Sequence, residues 1–408
     1  MSHRVVTSCR VCGSPRLAPV LDLGAQPLAN GFLERSALSA PEPTYPLALL
    51  RCESCSLGTL SVVVAPGDMF SHYLYLTGTS STMQHHFAAE AAMIRDRFLS
   101  PTDLVIEIGS NDGTLLSTLA GTHRVLGIEP AANVAQVARD RGVPTECMFF
   151  GERAAVDVAR AHGRAAAIIA NNVVAHIDDL GSVMRGIGAL LDDNGVFVLE
   201  APGLLDLLER CALDTIYHEH LSYLSVTALA RLATCHGFAV FDVEHLDVHL
   251  GSLRVFMDRG RRSQAPAVAQ ALAREEASGL LTEKPFARFA DQARTALREL
   301  NALLDDERAR GRTVAGYGAA AKGTVLLCAA GITDARLAYV VDRNVLKHGR
   351  FMPGTHIEVS GVERLDEERP DTILILAWNL ADEVRAQLRA FEERGGRFAV
   401  PLPAPRYL

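Results

Sequence analysis

No run of eighteen or more apolar residues occurs in this 408-residue sequence, so it offers no candidate for a membrane-spanning helix. The opening MSHRVVTSCRVCG lacks the apolar core of a secretory leader, and a cytoplasmic protein is expected. Positive charge is not in excess: 40 Lys and Arg stand against 48 Asp and Glu, giving a formal charge of −8 and a pI near 6.0. A basic groove for nucleic acid is therefore not the expected main surface. Eight cysteines in a chain of this length and compartment read as ligands or buried thiols rather than disulfides. What is present is an ordinary globular composition, 49% hydrophobic and 22% charged, at a length that suits two or three domains.

Four of the cysteines fall in a pattern. Cys9 and Cys12 form one CxxC pair and Cys52 and Cys55 another, with 39 residues between the pairs. Each pair suits a short turn that brings two thiolates to one tetrahedral ion, and two turns close a four-sulfur shell. Such a shell leaves no open position, so a structural zinc is expected. Pro27, Pro41, Pro43 and Pro46 interrupt regular structure between the pairs, which leaves much of the module's stability to the metal.

After the aromatic stretch of Tyr73 and Tyr75, residues 86–98 have helical apolar spacing. The aromatics can pack the first module onto that helix or reach a cleft; composition does not decide. Residues 103–108 read as a buried strand, 109–113 as a tight glycine loop and 114–119 as the start of a helix. That order makes a ligand-facing turn at the carboxyl edge of a parallel sheet. A second strand, 124–128, ends at Glu129, placed to accept hydrogen bonds from both hydroxyls of a ribose. The loop carries Asn111 and Asp112 where a dinucleotide fold shows further glycines. A ligand with a ribose and an amino-acid carboxylate but no pyrophosphate, such as S-adenosylmethionine, fits it better. Strands at 165–170 and 195–200 with a helix near 180–191 continue the sheet, and Asn172 and His176 follow the first of them. Standing alone, His176 reads as a capping or core histidine. Residues 238–246 and 251–258 read as an antiparallel pair, and the polar stretch 265–310 as one or two helices with a solvated charged face.

Strand, glycine loop and helix then recur. Residues 313–318 lead through a turn to Lys322 and a helix over 324–330, with further strands at 337–341, 371–377 and 397–400. This is a second nucleotide-binding type of α/β unit, in which Lys322, Lys347 and Arg350 can neutralise a pyrophosphate or serve as ordinary surface charge. The densest acid–base stretch is TIYHEHLS, residues 215–222. Tyr217, Glu219 and His220 crowd together there, as a site that takes a proton from carbon requires. The alternative for that stretch is a solvated polar loop.

The two CxxC pairs, EIGSNDG, NNVVAH, YHEHLSY, GYGAAAKG and PGTHIEV together resemble the sugar C-methyltransferases of deoxysugar biosynthesis, in particular the C-3-methylating branch. The resemblance runs from Cys9 to the final helix. It implies an α/β protein with a zinc module (1–72), a central class I, Rossmann-like S-adenosylmethionine domain (73–258) and a C-terminal Rossmann-like domain (259–408). The last would hold the nucleotide of a sugar substrate, expected to be dTDP-linked. Carried over by motif, His220 is the implied general base, with Tyr217, Glu219, His176 and Tyr75 (or its neighbour Tyr73) as active-site partners. Glu107, Gly109, Asn111, Asp112, Glu129 and Asn172 are implied for the cofactor, and Lys322, Lys347, Arg350, His356 and Trp378 for the substrate. Glu219 is expected to orient His220 or to balance its charge. Methylation at C-5 stays open beside C-3, and an NAD-dependent oxidoreductase or a non-enzymatic zinc scaffold stand as the readings from other classes.

Overall fold

The structure is a computed structural model and describes residues 3–70, 76–248 and 250–408. Near the N-terminus, strands Leu17–Gln26, Tyr45–Cys52 and Gly58–Leu60 form an antiparallel sheet. Burial alternates along Tyr45–Cys52, the period expected of a strand with one face on a core. The fourth strand of this sheet is Ser222–Tyr223, which directly follows the YHEH stretch and pairs with Gly58–Leu60. A separate two-stranded ladder joins His3–Val5 to Val62–Val64.

Seven strands make the central sheet. Leu104–Ile108 lies beside Arg124–Ile128 on one flank and Ala165–Asn171 on the other, all parallel. Thr145–Glu146 and Leu191–Pro202 extend these two flanks in parallel. Ser252–Asp258 then inserts antiparallel between Leu191–Pro202 and Ala239–Leu246. Every residue of Leu104–Ile108 is buried, as a parallel strand covered on both faces requires. Glu107 is the exception in chemistry, though not in burial. Strand order reverses where Leu104–Ile108 meets Ala165–Asn171, so Gly109–Gly113 and Asn171–His176 face one crevice.

The expected helix over 114–119 is not there. The segment forms only a 3-10 turn, Leu116–Thr118. Leu115, Leu116 and Leu119 are buried, and Gly121 follows one residue later, which leaves too few residues for a helical nucleus to propagate.

The C-terminal sheet runs Val359–Ser360, Val340–Val341, Val314–Tyr317, Thr372–Ile375, Arg397–Val400, with Arg406–Tyr407 antiparallel at the edge. The two larger sheets share a device. Glu129, ending the second strand of one, accepts the backbone N–H of Asn111 at 3.0 Å and of Ala131 at 2.9 Å. Asp342, ending the second strand of the other, accepts those of Ala319 at 2.8 Å and Asn344 at 2.7 Å. In both, the carboxylate ties the first glycine loop to the neighbouring strand.

The polar stretch becomes two helices, Pro266–Ala277 and Lys284–Ala309. The second is about 39 Å long at 1.5 Å per residue. It is not merely a solvated bridge: Phe286, Phe289, Ala293, Leu300 and Leu304 are buried, in one core with Leu21, Leu207 and Val325. The N-terminal sheet, the segment after the strand Leu191–Pro202 and the C-terminal unit thus pack on one helix.

Candidate functional site

The four cysteine sulfurs lie within 4.8 Å of one another, with Cys9–Cys55 at 3.5 Å and Cys12–Cys52 at 3.6 Å. A zinc–sulfur bond of about 2.3 Å puts tetrahedral sulfurs about 3.8 Å apart, so the set fits the ion.

The crevice of the central sheet is acidic. Glu107 is held well above the usual carboxylate range by burial and by the field of Glu90, Asp112 and Glu129, and its Oε2 has no partner among the described residues. Glu129 is raised by burial, against the two backbone N–H groups it accepts. Those bonds use two of a carboxylate's roughly four acceptor positions, leaving room for hydroxyls. Gly109 has φ +66°, and a Cβ there would meet the Val173 side chain at 2.7 Å. Asn111 and Asn172 also adopt positive φ, 48° and 55°, which brings their backbones to the crevice edge. An orphaned buried carboxylate oxygen and a close-approach glycine suit a cationic cofactor with a ribose, as S-adenosylmethionine is.

Asp112 takes a different part from the one expected. It is fully buried and accepts from Gly78 N–H at 2.9 Å and Thr114 Oγ1 at 2.6 Å, with Arg141 at 2.8 Å. It supports the loop rather than facing a ligand. Beside it, His86, Glu90 and Glu200 converge, but Arg254 stands among them, 2.7 Å from Glu200 and 3.4 Å from Glu90, where a metal cation would sit.

At the far side of the same edge His176 ends the turn Val174–His176. Its ring centroid is 5.0 Å from that of His220, and Tyr217 lies over His220 at 4.0 Å with planes 36° apart. His176 is half-buried at its surface, yet the atoms around its ring lower its pKa to about 4. It is neutral at ordinary pH, so it does not oppose a charge on its neighbour. His220 Nδ1 lies 2.8 Å from the Thr215 carbonyl. A carbonyl can only accept, so Nδ1 carries the proton and neutral His220 keeps its lone pair on Nε2.

Glu219 takes a different partner from the one expected. Its carboxylate is buried, and Asn30 Nδ2 donates to Oε1 at 2.6 Å. Successive residues of a tight turn diverge, and the carbonyl five residues back is the group in reach. Burial raises Glu219 to about 7, with Asn30 pulling the other way. Tyr73 and Tyr75 lie outside the described residues.

The five substrate candidates divide. Lys322 opens the helix Ala321–Ala330 at the switch point of the C-terminal sheet. Trp378 sits at the same edge, but its indole N–H donates to buried Asp214 at 2.8 Å. Lys347 reaches the Ala319 carbonyl at 2.7 Å and lies over the Phe32 ring. Arg350 is 4.0 Å from Glu34, and His356 is 3.1 Å from Glu42. The last three therefore hold the N-terminal loop, residues 27–42, against the C-terminal unit. The sequence motifs mark their segments but not which way each side chain turns. Thr215, Asn30 and Asp214 were missed; the sequence signal for two of them was only nearness to YHEH, and Asn30 had none beyond a polar residue in a proline-bounded loop.

Three family models match in tandem: a zinc binding domain over residues 9–70, a methyltransferase domain over 83–243, and a C-methyltransferase C-terminal domain over 247–403. The C-methyltransferase NovU of Streptomyces niveus, a curated relative, is 38% identical over 99% of this chain and 97% of its own. Two solved structures align far more weakly. Magnesium protoporphyrin IX methyltransferase of Synechocystis PCC 6803 has 12% identity and a TM-score of 0.33, over 43% of this chain and 79% of its own. An S-adenosylmethionine-dependent methyltransferase of Clostridium acetobutylicum ATCC 824 has 12% identity and a TM-score of 0.35, over 44% and 92%. Likenesses that weak decide nothing. The full-length relative does: this chain belongs to the zinc-containing, S-adenosylmethionine-dependent C-methyltransferases.

Proposed function

We propose that the enzyme methylates the carbon next to the ketone of a nucleotide-linked 4-keto-deoxysugar, at C-3 of a dTDP-sugar, in the cytoplasm. The observation that carries this reading is His220, whose Nδ1–H is committed to the Thr215 carbonyl and whose Nε2 is thereby a base. A carbon-bound hydrogen is removable only where an adjacent carbonyl accepts the charge, and that requirement selects a keto sugar.

In this mechanism His220 Nε2 takes the proton from carbon. Tyr217 and neutral His176 hydrogen-bond the oxygen on which charge develops, stabilising it where it appears. The proton left on His220 is shared with no second cation, because burial keeps His176 neutral. S-adenosylmethionine, held by Glu107, Gly109, Asn111, Glu129 and Asn172, supplies an electrophilic methyl group. The remaining task of the chain is alignment, worth several orders of magnitude when two reactants are fixed in one cleft. The central crevice gathers carboxylates, whereas Lys322 opens a helix at the edge of the C-terminal sheet, a place that suits a diphosphate. We take residues 1–72, 73–258 and 259–408 as the units that hold metal, cofactor and nucleotide.

The test is to incubate zinc-loaded protein with methyl-labelled S-adenosylmethionine and a panel of dTDP-4-keto-6-deoxysugars in deuterated water. Mass spectrometry and NMR then read label and position. Label at C-3, abolished together with solvent exchange in His220→Asn, is expected. Full transfer by His220→Asn sinks the base assignment; label at C-5 moves the sugar's register.

A further inference from the structure

We propose that Arg10 is a positioning residue: from inside the first cysteine pair it ties the zinc centre to both segments that carry the site histidines. The inference rests on the roles given above to His176 and His220. Arg10 lies between Cys9 and Cys12, so two metal ligands fix its backbone from either side. The knuckle is closed further by Gly13 N–H on the Cys9 carbonyl and Cys9 N–H on the Ser14 carbonyl, each at 2.9 Å. Its side chain is only 4% exposed. Nε donates to Asp178 Oδ1 at 3.0 Å, and a terminal nitrogen donates to the Leu221 carbonyl at 3.0 Å and to Thr59 Oγ1.

The two distant acceptors are what matter. Asp178 is two residues past His176, and Leu221 is the residue after His220. One planar guanidinium, with its donors in a fixed fork, therefore sets the distance between the Asp178 carboxylate, whose other oxygen Arg4 holds, and the Leu221 backbone. The Leu221 carbonyl is also gripped by Thr59 Oγ1 and Leu60 N–H, each at 3.2 Å, so the zinc-side sheet holds that point from three directions. Arg10 touches neither ring, and its effect on the reaction passes through geometry alone. The zinc ion acts on the chemistry in the same way. By fixing the knuckle it fixes Arg10, and through Arg10 the 5.0 Å spacing of the rings.

The experiment compares zinc-loaded wild type, Arg10→Gln and Arg10→Lys by hydrogen–deuterium exchange, with zinc content measured in each. Zinc is expected to stay bound, since no ligand is altered. Exchange in peptides covering 174–180 and 215–223 is expected to rise roughly tenfold in Arg10→Gln, with the C-terminal sheet unchanged. Arg10→Lys, which can reach one acceptor, should fall between. Turnover should drop about 100-fold, the size of effect a displacement near 1 Å produces, with the KM for S-adenosylmethionine within twofold. Chelated wild type should show the same two faster segments. A residue that only staples the module down would instead change exchange around residues 4–14 and leave the two segments and kcat alone; that pattern overturns the proposal. If Arg10→Gln fails to fold, Asp178→Asn leaves the knuckle intact and should loosen 174–180 without 215–223; both or neither loosening overturns it too. Faster exchange with full methyl transfer retained by His220→Asn would keep the clamp and remove the catalytic reading.

Discussion

His220 and Glu219 are adjacent in sequence and serve opposite neighbours. One is oriented by a backbone carbonyl, the other is buried against Asn30. The pH dependence of Glu219 follows from its burial. Its carboxyl sits near 4.5 in an unfolded chain and about 7 here. Between those values the native state keeps a proton that the unfolded chain releases, so stability is fully present below pH 4.5 and is lost as pH rises through 7. Glu219→Gln removes that loss. In thermal melts the variant should gain on wild type between pH 5 and pH 8.5, by up to about 3 kcal/mol. An offset that is the same at both pH values would refute a buried, raised Glu219. The density of acid–base groups at 215–222 was legible in the sequence because residue type reveals chemistry. The partner of each group was not, because a turn sends neighbouring side chains in different directions.

Among the elements, the loop 109–113 shows both what spacing reveals and where it stops. A strand apolar but for Glu107, a glycine turn and an acid 22 residues after Glu107 were enough to locate the crevice. The helix start at 114–119 was not, because three leucines turn inward and a 3-10 turn suffices. Gly109 is the residue the loop cannot exchange. Gly109→Ala would place a methyl 2.7 Å from the Val173 side chain at φ +66°. Left-handed backbone alone costs about 1–2 kcal/mol for a residue with a Cβ. Urea unfolding should show a loss of at least about 2 kcal/mol, and calorimetry should show S-adenosylmethionine binding weakened with it. Unchanged affinity would mean that the loop does not meet the cofactor.

Across the whole molecule, contacts between units replace several contacts expected with substrate. Trp378 is the clearest, because its indole N–H satisfies an Asp214 carboxylate that is fully buried and whose other oxygen has no partner among the described residues. Trp378→Phe should cost about 1–3 kcal/mol, the price of a buried acceptor left unmade, and should lower kcat more than it raises the sugar-nucleotide KM. If KM rises while the unfolding curve stays put, the indole belongs to the ligand. Order of units was legible from motifs; the surfaces by which they meet were not, since Arg350 and His356 look alike whether they face phosphate or Glu34 and Glu42. The strand Ser222–Tyr223, completing a sheet whose other members lie in the first sixty residues, has a consequence for exchange between relatives. A crossover placed in the stretch before the helix Ser81–Phe98 looks clean, yet it gives the incoming sheet a resident strand for its edge. Two distant stretches of the gene must be inherited as a couple, and chimeras that separate them should fail even when each half comes from a working enzyme.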